Sequence, residues 1–598
     1  MPVPRADAMW SREEADSTMS TRRRRGAVGV GVAVLAAAVA VAALGVAGAG
    51  AEGQSPFALP RSQTLYMSGN QWSPNNDLNP AKNWDYVTGL VGFAYETPFR
   101  YDPLTDTFIP WLASSGKWTS KRTFVMTTRS GVTWSDGKPM TAADVKYSFD
   151  LAKIATHPQH PLWQDTGLKS TRVQGRNVVF TFSGSPGYQQ FDFYRYNVAV
   201  VPQHVFKNYS NRQIATDNLS DPKKIVGTGP YVYQSGVGTS SQTVVWKKRN
   251  GWWATKALGL NVAPQYIVDI HNASNAAALA NLLRGNIDLF NNFAPKSAIK
   301  GQFKTYFDNA PYHLGANTTW LFPNTTKKPL NDRQFRRALA YSINMNQILS
   351  KAYQGLVNKA SPTGLLPIWN KWIDKKVVAK HGFSYKPAQA KSILRAAGYR
   401  DRDGDGYVEN KDGSDIDLQI ICPNGWSDWM TSIQVIADSA KAVGIKITPA
   451  FPEYGTLVDD RGHANYDLLL GNDRQYSNTP WTYYQYIFQL PILENQTTTN
   501  YERYSNRAAW NLTKALDKIP SSNTRAYQAT MSKLQTVFLQ DLPAIPLWYN
   551  GMWSMVNTKY WSGWPSATSG RYTPTSWRNY WQMTSIDMLT SLRPAKQS

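Results

Sequence analysis

The segment "DRDGDGYVENKD" carries the one metal-like spacing in the chain. Asp401, Asp403 and Asp405 fall at positions 1, 3 and 5 of a calcium loop, Gly406 at 6, Tyr407 at 7, Glu409 at 9 and Asp412 at 12. Alternating carboxylates around a sharp glycine turn are what a hard cation requires. Asp at the last position reaches less far than the usual bidentate Glu, and the flanks read as a helix end and a strand start, not two helices. The segment therefore has two readings, a polar Asp/Gly turn and a structural calcium site. The turn is preferred.

Other reactive constellations are missing. The sequence has no G-x-S-x-G elbow, no H-E-x-x-H helix, no phosphate loop and no paired-cysteine metal site among its seven histidines. Dispersed carboxylates, such as a glycosidase pair, leave no fixed spacing, so a secreted glycan-active enzyme stays as a remote alternative to a non-enzyme. Cys422 stands alone at the end of "DLQIIC" and reads as a small buried hydrophobe without a disulfide partner.

Aromatic chemistry is denser. "PWTYYQYIF", Pro480 to Phe488, packs five aromatic side chains into nine residues, in a chain with 23 tryptophans. Flat faces with polar edges suit the apolar faces of pyranose rings. The competing reading is structural, because Trp481, Tyr484 and Phe488 lie at i, i+3 and i+7, the spacing of a helical core face.

A chain of 598 residues, 42% hydrophobic and 18% charged, is globular and long enough for two or more domains. After Arg22 to Arg25 an apolar run continues without charge to Glu52, and Ala49-Gly50-Ala51 is the best small-residue cleavage match, so residues 1–51 read as a signal peptide or a membrane anchor. An alternative start at Met19 would give a compact basic leader. No cysteine follows the run, which excludes a lipid-modified lipoprotein. Export is the expectation, to the extracellular face of the cell envelope or the periplasm. Residues 1–51 hold +2 of the formal charge of +23, leaving +21 on the remainder. These cations are scattered and accompany no recognition-helix or zinc pattern, so nucleic acid is not an expected partner. Attraction to an anionic envelope is.

The elements behind these residues alternate. "TLYMSG" reads as a strand, and "KRTFVMTTRSGVTWSDG" as a hairpin turning at Ser135, Asp136 and Gly137. "TAADVKYSFDLAK" reads as a helix boxed by Thr141 and Asp144, with Val145 and Phe149 on one face. "NDRQFRRALAYSINMNQILSKAY", "KPAQAKSILRAAGY" and "WMTSIQVIADSAKAVG" read as helices, the last followed by the strand "IKITPAF". That is an α/β grammar in which loops at strand ends are free to bind.

"SGVTWSDGKPMTAADVKYSFDLAK", "GTGPYVY", "PLNDRQFRRALAYSINMNQIL", "AGYRDRDGDGYVENKDG" and "LPAIPLWYN" occur in this order. Together they resemble the family 5 extracellular solute-binding proteins of ABC importers (the oligopeptide-, dipeptide- and nickel-binding type) over nearly all of residues 60 to 560. The resemblance implies an α/β, two-lobed periplasmic-binding-protein-like fold of type II, with an extra domain inserted in the first lobe. It places residues 60–95, 223–312 and 536–598 in the core of lobe I, residues 96–222 in the insert and residues 313–535 in lobe II. The implied receptor acts as a monomer, closes its cleft on a ligand and delivers it to an ABC-type permease in the cytoplasmic membrane. No cofactor is implied.

In peptide receptors of the family, an aspartate four residues before a proline pairs with the peptide's α-amino group. Here the residue four before Pro480 is Tyr476, the nearest acid is Asp473, and Arg474 beside it would repel an ammonium. The peptide anchor is missing. In the implied fold, Trp72, Trp426 and Trp429 stand on cleft loops with Asn70, Gln71, Asn424 and Asp428 beside them to hydrogen-bond hydroxyls. Trp481 and Tyr484 would add a stacking platform. The expected ligand is an oligosaccharide, similar to that of the members binding β-linked oligosaccharides, with an oligopeptide as the alternative.

Overall fold

The structure is a computed structural model that describes residues 59–68, 77–82, 87–235, 243–472, 477–575 and 583–596. Its first organising element is the strand Thr64–Ser68, in which all five side chains are buried. Leu65 and Met67 enter one apolar cluster, while Tyr66 enters another with Val268 and Leu282 on the opposite face. Burial on both faces is why the segment reads as a continuous apolar run instead of an alternating one. Thr64–Ser68 pairs in parallel with Tyr266–Ile270 and Leu289–Phe290 at the centre of a seven-stranded sheet. Antiparallel strands flank this centre: Thr243–Lys248 and Tyr231–Ser235 on one side, Met555–Asn557 and Phe303–Thr305 on the other.

A second sheet has five strands in the order Ile447–Ala450, Leu418–Ile421, Leu468–Gly471, Gly315–Pro323 and Ile545–Gly551. The first three are parallel and the last two antiparallel. Helices Arg333–Ser342, Ser427–Lys441, Trp481–Phe488 and Thr524–Asp541 contribute to the same core. This corrects the assignment of residues 536–598 to lobe I, because Ile545–Gly551 belongs to the five-stranded sheet and Met555–Asn557 to the seven-stranded one. The chain thus crosses between sheets at Met552–Ser554. An apolar strand reads alike whichever sheet it joins, so only its pairing settles the matter. Cys422, at the end of Leu418–Ile421, is fully buried, and burial pushes its thiol above the ordinary range.

The insert is built on a four-stranded antiparallel sheet, Ala113–Ser120, Thr123–Thr128, Asn177–Phe182 and Leu168–Gln174 in spatial order. Its helix Ala142–Leu151 starts at the expected box, with the Thr141 amide donating to Asp144 Oδ2 at 2.8 Å. Phe149 packs edge-on against Phe180, ring centroids 4.9 Å apart. The "GTGP" segment closes onto backbone: a Cβ on Gly227 would sit 2.0 Å from the Ala94 carbonyl oxygen, and one on Gly229 2.1 Å from that of Phe93. No other residue fits there. Among the described residues no helix is long and apolar enough to cross a membrane.

Candidate ligand-binding cleft

In open sheets, ligands bind where loops leave the carboxyl ends of parallel strands. Five such loops are described. Residues 271–275 and 291–295 leave the seven-stranded sheet, and residues 422–428, 451–454 and 472–480 (less the undescribed 473–476) leave the five-stranded one. The two sets meet. The Asn275 amide donates to the Gly425 carbonyl at 3.3 Å, and Asn275 Nδ2 donates to Asp428 Oδ1 at 3.1 Å. Gly425 adopts φ 79°, and a Cβ there would lie 3.1 Å from the Ser274 Cβ, so the approach needs glycine twice over. The insert also reaches across: the Tyr196 hydroxyl donates to Asn478 Oδ1 at 3.1 Å, and the Gln190 amide donates to Asp517 Oδ1 at 2.9 Å.

The polar groups at this junction are mostly neutral. Ser68 Oγ donates to Asn292 Oδ1 at 2.6 Å and accepts from Asn272 Nδ2 at 3.2 Å. Asn291 Nδ2 donates to the Trp553 carbonyl at 2.7 Å. Asn317 and Asn550 pair across adjacent strands near the crossing, and Asn317 Nδ2 donates to the Asn472 carbonyl. The carbonyl oxygens of both Asn317 and Asn550, and Ser554 Oγ, are buried with no partner among the described residues. Burial lowers His313 to about 3 and keeps it neutral, with Nδ1 accepting the Ser554 amide. The described residues of the five loops include no Lys or Arg. Their two acids are engaged: Glu453 accepts from Asn424, and Asp428 from Asn275 and Tyr353.

The sequence-predicted site residues divide sharply. Trp426 is half-buried at a strand end, stacked on Tyr454 at 6.1 Å and 19° and edge-on to Trp429. Trp429 itself is core. Asp428 has both oxygens occupied, so it ties elements together instead of waiting for a hydroxyl. Trp481 is 5% exposed, and its Nε1 donates to the Thr513 carbonyl at 2.9 Å. Tyr484 is buried against Phe488 and Phe538. The expected platform at Trp481 and Tyr484 is therefore corrected to core: every residue of Trp481–Phe488 except Gln485 is buried. Aromatic density signals apolar area, and helices Arg507–Asp517 and Thr524–Asp541, distant in sequence, are what cover it. Elsewhere too, tryptophans serve the interior, as where Trp111 and Trp253 donate to the buried Glu96 carboxylate. Asn70, Gln71, Trp72, Asp473 and Tyr476 lie outside the described residues. Sequence reasoning missed Tyr454, whose signal is its place in "FPEYG", the strand-end loop equivalent to that of Trp426.

The acidic loop closes on itself. Asp401 accepts the amides of Gly404 and Gly406, Asp403 that of Asp405, and Asp405 that of Tyr407. Glu409 is buried and accepts the Arg402 amide. Ligand oxygens of Asp401, Asp403, Asp405 and Glu409 all lie within 4.8 Å of one another. The position assigned to Asp412 is corrected: it points away to Ser414 and Lys328, whose hydrogen bonds hold its carboxyl well below the usual range. Four of the carboxylates of a calcium loop are thus gathered and the closing one is not.

Comparison with known proteins agrees with this architecture. The family described as bacterial extracellular solute-binding proteins, family 5 Middle, matches residues 107–491. A solved structure from Thermotoga maritima, an oligopeptide ABC transporter periplasmic oligopeptide-binding protein with mannohexaose bound, is 36% identical. It covers 90% of this chain and 99% of its own, with a TM-score of 0.83. The oligopeptide-binding protein AppA of Bacillus subtilis is 24% identical over 435 residues, 70% of this chain and 74% of AppA. The peptide transport periplasmic protein SapA of Salmonella typhimurium is 24% identical over 503 residues, 79% of this chain and 84% of SapA.

Proposed function

This chain belongs to family 5 of the bacterial extracellular solute-binding proteins, and from that premise we propose that its cleft captures a neutral oligosaccharide, β-linked in the favoured case. Members of the family are transport receptors and not enzymes, and they hand their ligand to a membrane permease of an ABC importer. The observation that carries the sugar reading is the cation-free lining of the described loop residues. The described cleft loops offer carboxamides, hydroxyls and the partly buried pair Trp426 and Tyr454, but no cation, and no carboxylate without a partner. Carboxamides and hydroxyls both donate and accept, as sugar hydroxyls do. A peptide's terminal charges would need ionic partners to leave water. The mannohexaose held by the Thermotoga maritima relative supports the same reading. The peptide names of AppA and SapA favour the alternative, an oligopeptide receptor.

Thermal-shift and calorimetric titration against β-linked manno- and gluco-oligosaccharides, and against mixed short peptides, test the proposal. A ligand that binds only the native state raises the melting point. The expected result is a rise with at least one oligosaccharide series. Binding of peptides alone would overturn it.

A further inference from the structure

The outward face of the inserted four-stranded sheet has no role in the cleft, and its composition is one-sided. Segments 113–128 and 168–182 contain Lys117, Lys121, Arg122, Lys169, Arg172 and Arg176 and no Asp or Glu. All six are exposed, and none forms an ion pair among the described residues. The pleat sorts the side chains. Phe124, Met126, Val178, Phe180 and Phe182 face the helices of the insert and are buried. The alternate residues face away from those helices, and Lys117, Val125, Val179 and Arg172 stand in one cross-strand row in which the two cations are exposed, Val125 is partly buried and Val179 is buried. Lys117 and Arg172 occupy the two edge strands, about 14 Å apart by strand spacing. Around the row, Thr123, Thr127, Ser170 and Thr181 add hydroxyls. Lys121 and Arg122 mark one hairpin end and Arg176 the other.

We infer that this face docks the receptor on a bilayer of anionic phospholipid. Cations spread over the edges and ends of a flat surface, with no acid between them, match a planar array of phosphates better than a single polyanion strand, which a groove would follow. Each Lys or Arg held at an anionic membrane adds to the attraction, and the effect fades within a Debye length. A receptor so held searches for its permease in the plane of the membrane. The cleft lies on other elements and takes no part.

The test is co-sedimentation of the exported protein, its amino terminus first determined, with phosphatidylglycerol and phosphatidylcholine vesicles at low and high salt. Binding to phosphatidylglycerol alone, released by salt, is expected. K117E/R172E should lower the partition about tenfold or more, with the melting temperature unchanged because both side chains are exposed. K375E/K380E makes the same change in net charge on the helix Lys375–His381, which packs on Thr524–Asp541, and should lower the partition less than about twofold. Equal loss in both double variants would reduce the effect to net charge and overturn the inference. So would retention by K117E/R172E, equal binding to phosphatidylcholine, or capture by soluble polyphosphate without capture by vesicles.

Discussion

Asn275 and Asp428 meet at the junction of the two sheets, 3.1 Å apart, with the Tyr353 hydroxyl closing on the other carboxylate oxygen at 3.2 Å. Asn275 opens a helix behind the seven-stranded sheet, and Asp428 lies in the first turn of the helix Ser427–Lys441 on the five-stranded one. This contact fixes how the strand-end loops face each other. Replacing Asn275 by Ala removes a side-chain donor from the buried Asp428 carboxylate, which should cost about 1 to 3 kcal/mol in denaturant unfolding.

Burial pushes Asp428 up to about 6, against the hydrogen bonds that favour its charged form. The native state therefore keeps this proton to higher pH than the unfolded chain does. Stability falls as pH rises from about 4 to about 6, and the deficit persists above that range. Asp428→Asn, which keeps an acceptor for Asn275, should gain about 1 to 3 kcal/mol at pH 7 and nothing at pH 4. Unfolding curves at the two pH values check it, and an equal offset at both would contradict it.

Trp481 is core. Trp481→Ala should cost about 3 to 5 kcal/mol of stability with or without ligand. A variant whose unliganded melting temperature stays at the wild-type value while oligosaccharide affinity falls would return Trp481 to the binding surface.

Trp426 is the opposite case. Partly buried and stacked on Tyr454 at a strand end, it is the indole expected to meet a sugar ring, and Trp426→Ala should weaken oligosaccharide binding by about 1 to 3 kcal/mol, by analogy with planar bases on aromatics. The unliganded melt should change little. Isothermal titration against the best oligosaccharide separates this from the Trp481 result.

Four carboxylates within 4.8 Å on a mostly exposed loop repel one another. Without a closing ligand at position 12, calcium affinity should be weak, about 10⁻⁴ to 10⁻³ M, with a small rise in melting temperature that Asp405→Ala abolishes. A melt indifferent to both calcium and chelator identifies the loop as an ordinary turn.

What the sequence determined by itself is local. The helix start at Thr141 and Asp144, the close approach at Gly227 and Gly229, the strands Thr64–Ser68 and Leu418–Ile421 and the self-capping of Asp401 and Asp405 all follow from sterics and hydrogen bonds that a few residues carry themselves. The order of motifs along the chain revealed the family for the same reason, since each motif is a local solution. Tertiary structure decided which sheet receives Ile545–Gly551, that Thr513 and Phe538 bury Trp481 and Tyr484, and that Asn275 claims Asp428. Each of those outcomes depends on a partner far away in sequence. An aromatic or a carboxylate has the same propensity whether it meets solvent, ligand or core, and only the packing of remote elements removes it from water.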